Sequence, residues 1–180
     1  KAPRKVIESM YGESAFYAWL NAAKPNVAAF TESDDFLRLA AHADIVLHSA
    51  RGAEADALEH RLTAANAHAV VISLSPYGRS GPRAGWESTP YTEWATGGFQ
   101  YIAGDPAREP LALPGYQAQF HTATLAGVAA LAGLRHARAT GEGQRIEMSH
   151  QEATLSCHAW LTTSWTHGGQ IQMRTGSAFI

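Results

Sequence analysis

With a single cysteine, Cys157, among 180 residues, the chain can form no internal disulfide, and a reducing compartment, the cytoplasm, is expected. No apolar run approaches the roughly 18 residues that a membrane-spanning helix needs, and no signal-peptide pattern is visible. Acids and bases are interspersed, 16 against 14, for a net charge of −2, so there is no basic stripe for nucleic acid. Neither a GxGxxG nor a Walker phosphate loop is present, which removes the usual nicotinamide and nucleoside triphosphate cradles. A GxSxG nucleophile elbow is missing too. Nine histidines make no HxxxH or HExxH pair, and Cys157 has no CxxC partner, so no metal site is expected. No internal repeat in the range of about 20–50 residues is apparent.

What is there reads as an α/β protein. Hydrophobic content is 46% and charged content 17%, enough for one domain with a substantial core. Val27-Ala28-Ala29-Phe30 is a short apolar run that predicts a buried strand. Asp34 to Ala43 has helical spacing behind Ser33 as N-cap. Ile45-Val46-Leu47 predicts a second strand, and Ala53 to Asn66 a second helix with Ala57, Leu58, Leu62 and Ala65 inward. Val70 to Leu74 predicts a third strand. This alternation with short connections demands parallel pairing and right-handed crossovers, one half of a doubly wound sheet. Ligands of such sheets lie at the carboxyl ends of the strands, here Phe30–Ser33, His48–Gly52 and Ser75–Trp86. In the last of these, Ser75 to Pro82 is a tight loop in which Arg79, with Arg83 beyond it, offers charge for phosphates; an ordinary surface turn with solvated arginines is the alternative.

Further on, Tyr91 to Gly97 predicts a short helix stopped by Gly97-Gly98, and Asp105 to Tyr116 a loop. Gln119 to Arg138 predicts a long helix, with Phe120, Ala123, Leu125, Val128, Leu131 and Leu134 among many alanines. Gly141-Glu142-Gly143 breaks it, Arg145 to Met148 predicts a strand, and Ser149-His150-Gln151-Glu152 is a capping box opening a helix to about Thr166. His150 and His158 would share that helix, and Gly168-Gly169 would end it.

Several segments, taken in order, resemble one family. Phe16-Tyr17-Ala18-Trp19-Leu20-Asn21-Ala22-Ala23-Lys24 is similar to an aromatic-rich LN-x-x-K entry to a strand. Ala43-Asp44-Ile45-Val46-Leu47-His48-Ser49-Ala50-Arg51 is similar to an AD-x-V-x-E-N-F-R-P-G segment. Val71-Ile72-Ser73 with Gly78 and Gly81-Pro82 resembles I-S-x-x-G-x-x-G-P, and Thr140-Gly141-Glu142-Gly143-Gln144 resembles a TG-x-GQ turn. These are segments of the family III coenzyme A transferases, the superfamily that includes formyl-CoA and carnitine CoA-transferases and alpha-methylacyl-CoA racemase.

The resemblance implies a Rossmann-like doubly wound parallel sheet and a chain that is part of the large domain of that fold. Within 1–180, residues 26–75 would form the half sheet, 88–167 a helical part with the TGxGQ turn, and 168–180 the start of a linker toward a small domain. The chain would be a piece of a longer polypeptide, in an interlocked homodimer or beside a fused second copy. Its substrates would be an acyl-CoA thioester and a carboxylic acid, with no tightly bound cofactor.

Site residues carried over by the resemblance are Lys24 near the CoA phosphates, where a flexible ammonium is suitable, and Ser49, Ala50 and Arg51 at the CoA site. A solvated lysine before a Pro turn is the alternative for Lys24. Ser49 and Ala50 replace the family's Asn and Phe. Counting back from Gln144 without a gap puts the family's nucleophilic aspartate at Gln119. A glutamine amide cannot attack an acyl-CoA carbonyl to form the mixed anhydride and then the aspartyl thioester, and no Asp or Glu lies between Pro110 and Arg138. The racemase branch would place its His and Asp bases at Ser88 and Gln119, so both are missing, and His121 is a base only by proximity. Three readings follow: a CoA-transferase whose nucleophile comes from elsewhere, a catalytically silent acyl-CoA-binding or scaffolding subunit, and an unrelated Rossmann-like domain.

Overall fold

The computed structural model describes residues 15–176. The chain divides into two units, Lys1–Phe30 and Thr31–Ile180. In the first, helix α1 (Ala15–Leu20) stacks Phe16 on Trp19 one turn on, and the turn after it is closed by the Asn21 amide on the Tyr17 carbonyl at 2.9 Å. Residues 24–30 are irregular, which corrects the strand expected at Val27–Phe30. Strand backbone groups must be paired by a neighbour, and no ladder in the described residues includes these four.

The second unit is built on three parallel strands, β1 (Ile45–His48), β2 (Val70–Ser75) and β3 (Gln144–Ser149), in spatial order β1-β2-β3. Helix α2 (Asp34–Ala40) starts at Ser33, whose hydroxyl accepts from the Phe36 N–H at 3.2 Å, as expected. Helix α3 (Gly52–Ala65) crosses from β1 to β2. Alternation along β2 divides the core. Val71 joins Ala40, Leu58, Leu62 and Ala69 under α2 and α3. Val70 and Ile72 face the other way, onto Ala126, Ala130 and Ala137 of helix α6 (Gln117–Thr140). The sheet is therefore covered on both faces, as parallel sheets require. On α3 the inward face is Ala55, Leu58, Glu59 and Leu62, so Ala57 is exposed and a glutamate takes a place that composition assigned to alanines.

Helix α6 buries its small residues. Ala118, Thr122, Ala126, Ala130, Gly133 and Ala137 face the interior, whereas Val128 and Leu131 are 63% and 67% exposed. Small side chains let a helix axis approach a sheet closely, and the bulky apolar ones are left on the outer side. The TGEGQ turn that follows is fixed by contact. Gly143 donates to the Ala67 carbonyl at 2.9 Å and Gln144 to that of Ala69 at 3.2 Å. A Cβ on Gly143 would lie 2.6 Å from the Ala67 oxygen and closer still to that of Ala69. No L side chain fits there, and this turn sets the register of β3 on β2.

Helices α4 (Pro90–Thr96) and α5 (Phe99–Ile102) lie between β2 and α6, and α7 (His150–Ser156) and α8 (Ala159–Gly168) follow β3. Thr89 and Thr92 form a capping box at the start of α4, with Pro90 in the first turn. Ser149 caps α7, accepting from the Glu152 N–H at 3.1 Å. The single helix expected from Ser149 to Thr166 is broken. The Ser156 hydroxyl donates to the Ala153 carbonyl at 2.7 Å and the Thr154 hydroxyl to that of His150 at 2.6 Å. At the break the backbone tightens, and Cys157 and His158 donate to carbonyls three residues back, Thr154 and Leu155. His150 and His158 thus belong to different elements.

Gly143→Ala is expected to cost about 3 kcal/mol or more, the range of forced backbone overlap, while Gly85→Ala, where the added Cβ meets nothing, stays within about 0.5 kcal/mol. Urea unfolding of the two variants checks this.

Candidate active site

Two buried carboxylates organise the carboxyl end of the sheet. Glu59, on the inner face of α3, lies 3.2 Å from His48 Nε2 at the end of β1. It also pairs with the Arg79 guanidinium from the loop after β2, and Arg145 Nη1 of β3 stands 4.0 Å away. Arg79 reaches the exposed Asp56 as well, and its backbone N–H donates to the Glu147 carboxylate. Gly78 and Gly81, with φ of 88° and 90°, give the loop its shape. The Arg79 charge is consumed inside the protein, so the loop is a clamp joining β1, α3 and β3. That overrides the expectation of Arg79 as a phosphate-attracting group. Arg83 lies over the Trp86 ring, 5.4 Å from its centroid.

The second carboxylate is Glu93, on α4 and only 3% exposed. Its Oε1 accepts from the Ser88 hydroxyl at 2.7 Å, and its Oε2 accepts from the Gln119 side-chain amide. His150 Nδ1, at the first residue of α7, lies 2.9 Å from the same Oε2, off the line of a hydrogen bond. Four elements supply this cluster: the loop before α4, α4 itself, the first turn of α6 and the first turn of α7. Gln119 and Ser88 are half-buried, so the cluster reaches the surface at those two side chains. Gln119 Oε1 has no partner.

Behind Glu93 lies an aromatic stack. Trp94 lies on Phe99 with centroids 3.9 Å apart, His121 extends the stack at 6.0 Å from Trp94, and His158 tilts onto Phe99 at 3.8 Å. His121 therefore points into this stack, as the helical angle from Gln119 suggested. His158 is 5% exposed with neither ring nitrogen hydrogen-bonded. Burial holds its pKa below the usual histidine value of 6.5, and the nearby Gly97 backbone pulls less strongly the other way.

Of the residues singled out from the sequence, Ser49, Ala50 and Arg51 form the short connection between β1 and α3. Arg51 is the N-cap residue of α3, Ala50 packs on the core beneath α3, and Ser49 is exposed. Lys24 lies in the first unit, its N–H donating to the Asn21 carbonyl at 3.1 Å. Gln119 and Ser88, the two positions that the racemase resemblance would give to bases, are brought together through one shared carboxylate. Glu93 escaped the sequence reading because it stands 26 residues before Gln119, and no spacing rule links a short helix to the start of a distant one. The faint signal was a glutamate one turn into a well-capped amphipathic segment. Among the described residues no group of three or more His, Cys, Asp and Glu is arranged to hold a metal ion, and no helix is long and apolar enough to cross a membrane.

A parallel α/β sheet with its buried polar cluster at the carboxyl end is the general form of a ligand-binding α/β enzyme domain. The family model for CoA-transferase family III matches residues 2–179, and the chain belongs to that family. Similar proteins include the subunit BbsE of succinyl-CoA:(R)-benzylsuccinate CoA-transferase from Thauera aromatica, 29% identical over 89% of this chain and 41% of its own length. Succinate–glutarate CoA-transferase of Agrobacterium fabrum is 26% identical over 96% of this chain and 46% of that protein. The alpha subunit of succinyl-CoA–L-malate CoA-transferase from Chloroflexus aurantiacus is 26% identical over 91% and 40%. A CAIB/BAIF family protein from Brucella suis shares the fold, with a TM-score of 0.78 and 24% identity over 85% of this chain and 42% of that one. The chain thus spans less than half the length of these relatives.

Two outcomes follow from the geometry. Arg79→Ala leaves the buried Glu59 with only His48 and the more distant Arg145 and is expected to cost about 3 kcal/mol, most of it recovered when Glu59→Gln is added. Chemical unfolding of the single and double variants tests the pairing. For His158, the folded pKa is depressed, so its neutral form is favoured in the native state. Stability is complete above about pH 6.5 and declines as pH falls from there toward the folded value. His158→Phe is expected to remove that part of the decline, read as a flatter Tm-against-pH curve than wild type.

Proposed function

We propose that this chain forms part of the acyl-CoA site of an enzyme moving coenzyme A between an acyl-CoA and a carboxylic acid. The observation that carries the reading is the match to the family across residues 2–179. It is supported by a buried polar cluster around Gln119, the position at which the family's reactive aspartate falls by resemblance. In this reading the chain is part of the large domain, with residues 168–180 leading toward a small one. Ser49, Ala50 and Arg51 line the CoA site, and by the resemblance Lys24 is carried over as a residue for the CoA phosphates. The acyl donor is a dicarboxylic thioester of the succinyl-CoA type, as the names of the relatives suggest. Assembly is through an interlocked dimer or a second copy of the fold, and two of the relatives are named as subunits.

A second reading is favoured by one observation: Gln119 carries an amide where a nucleophilic carboxylate is needed. There the protein is a silent subunit that binds acyl-CoA and scaffolds an active partner.

Incubation of the full-length protein with succinyl-CoA and a panel of dicarboxylic acids separates the two. The transferase reading expects new acyl-CoA species by mass spectrometry. CoA binding by calorimetry without any exchange supports the silent subunit, and absence of both binding and exchange rejects both.

A further inference from the structure

We propose that Glu93 supplies the reacting carboxylate that Gln119 lacks. The proposal rests on the transferase reading. The structure contributes the juxtaposition: the Glu93 carboxylate is hydrogen-bonded to the Gln119 amide, so an acidic oxygen lies within one hydrogen bond of the expected nucleophile position. The residue's surroundings separate it from an ordinary structural acid. Glu59 is neutralised by Arg79, with Arg145 near. Among the described residues Glu93 has no Arg or Lys partner. Its neighbours are a hydroxyl, an amide and an imidazole. Burying a carboxylate with no permanent cation is costly, and strained or expensive polar groups concentrate where chemistry is done.

The carboxylate keeps acceptor capacity beside the half-buried Ser88 and Gln119, the side on which a substrate would have to reach it. A carboxylate offers about four lone-pair positions, and only Ser88 and Gln119 donate to it with hydrogen-bond geometry. In the first step a Glu93 oxygen adds to the acyl-CoA carbonyl and the C–S bond breaks, giving a glutamyl–acyl mixed anhydride and the CoA thiolate. The thiolate then attacks the Glu93 carbonyl carbon and expels the donor acid as its carboxylate, leaving a glutamyl-CoA thioester. The acceptor carboxylate attacks that thioester and releases the thiolate, which takes the new acyl group from the anhydride and restores the Glu93 carboxylate. No oxidant, reductant or net proton is required. The Gln119 amide, released from the carboxylate as it reacts, becomes a donor for the oxyanion of each tetrahedral intermediate.

The test is made on the full-length protein with succinyl-CoA and an acceptor acid. Hydroxylamine quenching during turnover, followed by peptide mapping, is expected to place a hydroxamate on Glu93, within the tryptic segment 84–108. This readout needs no variant and so does not depend on how a mutant folds. Glu93→Gln, which keeps size and, with the Gln119 amide turned over to accept, two hydrogen bonds, is expected to lose transfer by about 10⁴-fold or more while CoA binding changes less than about tenfold. A hydroxamate on another segment or subunit, or Glu93→Gln retaining transfer within about tenfold of wild type, overturns the role of Glu93 and leaves the transferase reading standing. Exchange of the α-hydrogen with D2O and no hydroxamate also overturns it, in favour of proton transfer. Neither transfer nor adduct in the wild-type protein removes both.

Discussion

Strand β2 is hydrogen-bonded along both edges and covered on both faces, and the position of every other element in the second unit follows from that double constraint. Its parallel partners must run in one direction, so each has to be reached by a crossover. Helix α3 makes one crossover, and the long path through α4, α5 and α6 makes the other. The alternating side chains of β2 need apolar cover on each side. Val71 meets Leu58 and Leu62, and Val70 and Ile72 meet the alanine face of α6. The close approach of α6, made possible by small residues, holds the first turn of that helix, and Gln119 with it, against α4. The site is a consequence of how tightly one helix packs on one strand.

The two buried glutamates show how one residue type serves different ends. Glu59 sits among His48, Arg79 and Arg145 from three separate chain segments. A paired internal charge of that kind ties segments together, and the loop after β2 takes its shape from it. Glu93 is equally hidden but is satisfied by neutral donors and by an imidazole at hydrogen-bond distance without the alignment. The first arrangement is closed. The second leaves acceptor capacity unspent beside the half-buried Ser88 and Gln119.

Helix α6 also explains a mismatch between composition and burial. Its large apolar residues are the natural candidates for a core, yet Val128 and Leu131 lie outward while alanines and Gly133 lie inward. Packing density decides this where α6 meets β2: a Cβ on Gly133 would lie 2.9 Å from a Val70 methyl. Between α7 and α8 the backbone tightens, with Cys157 and His158 donating to the Thr154 and Leu155 carbonyls three residues back. That break turns His158 onto Phe99.

Much of the fold was legible in the residues themselves. The β-branched runs of β1 and β2, the Ser33 and Ser149 caps and the glycines of the TGEGQ turn are local signals whose physics acts within a few residues. Val27–Phe30 had the same apolar signature and forms no strand, because a strand is completed by a neighbour and the run does not specify one. The assignment of Gln119 to the family's aspartate position comes from counting along a continuous helix and a short turn. Glu93 could not be found that way, since its meeting with Gln119 depends on the packing of α4 against α6, a contact between segments 26 positions apart. The sequence by itself determined the three parallel strands, most of the helices, the family and the amide at position 119, all carried by local or ordered patterns. Only the tertiary structure decided which carboxylate stands beside that amide, because burial and hydrogen bonding between distant segments are properties of the packed chain.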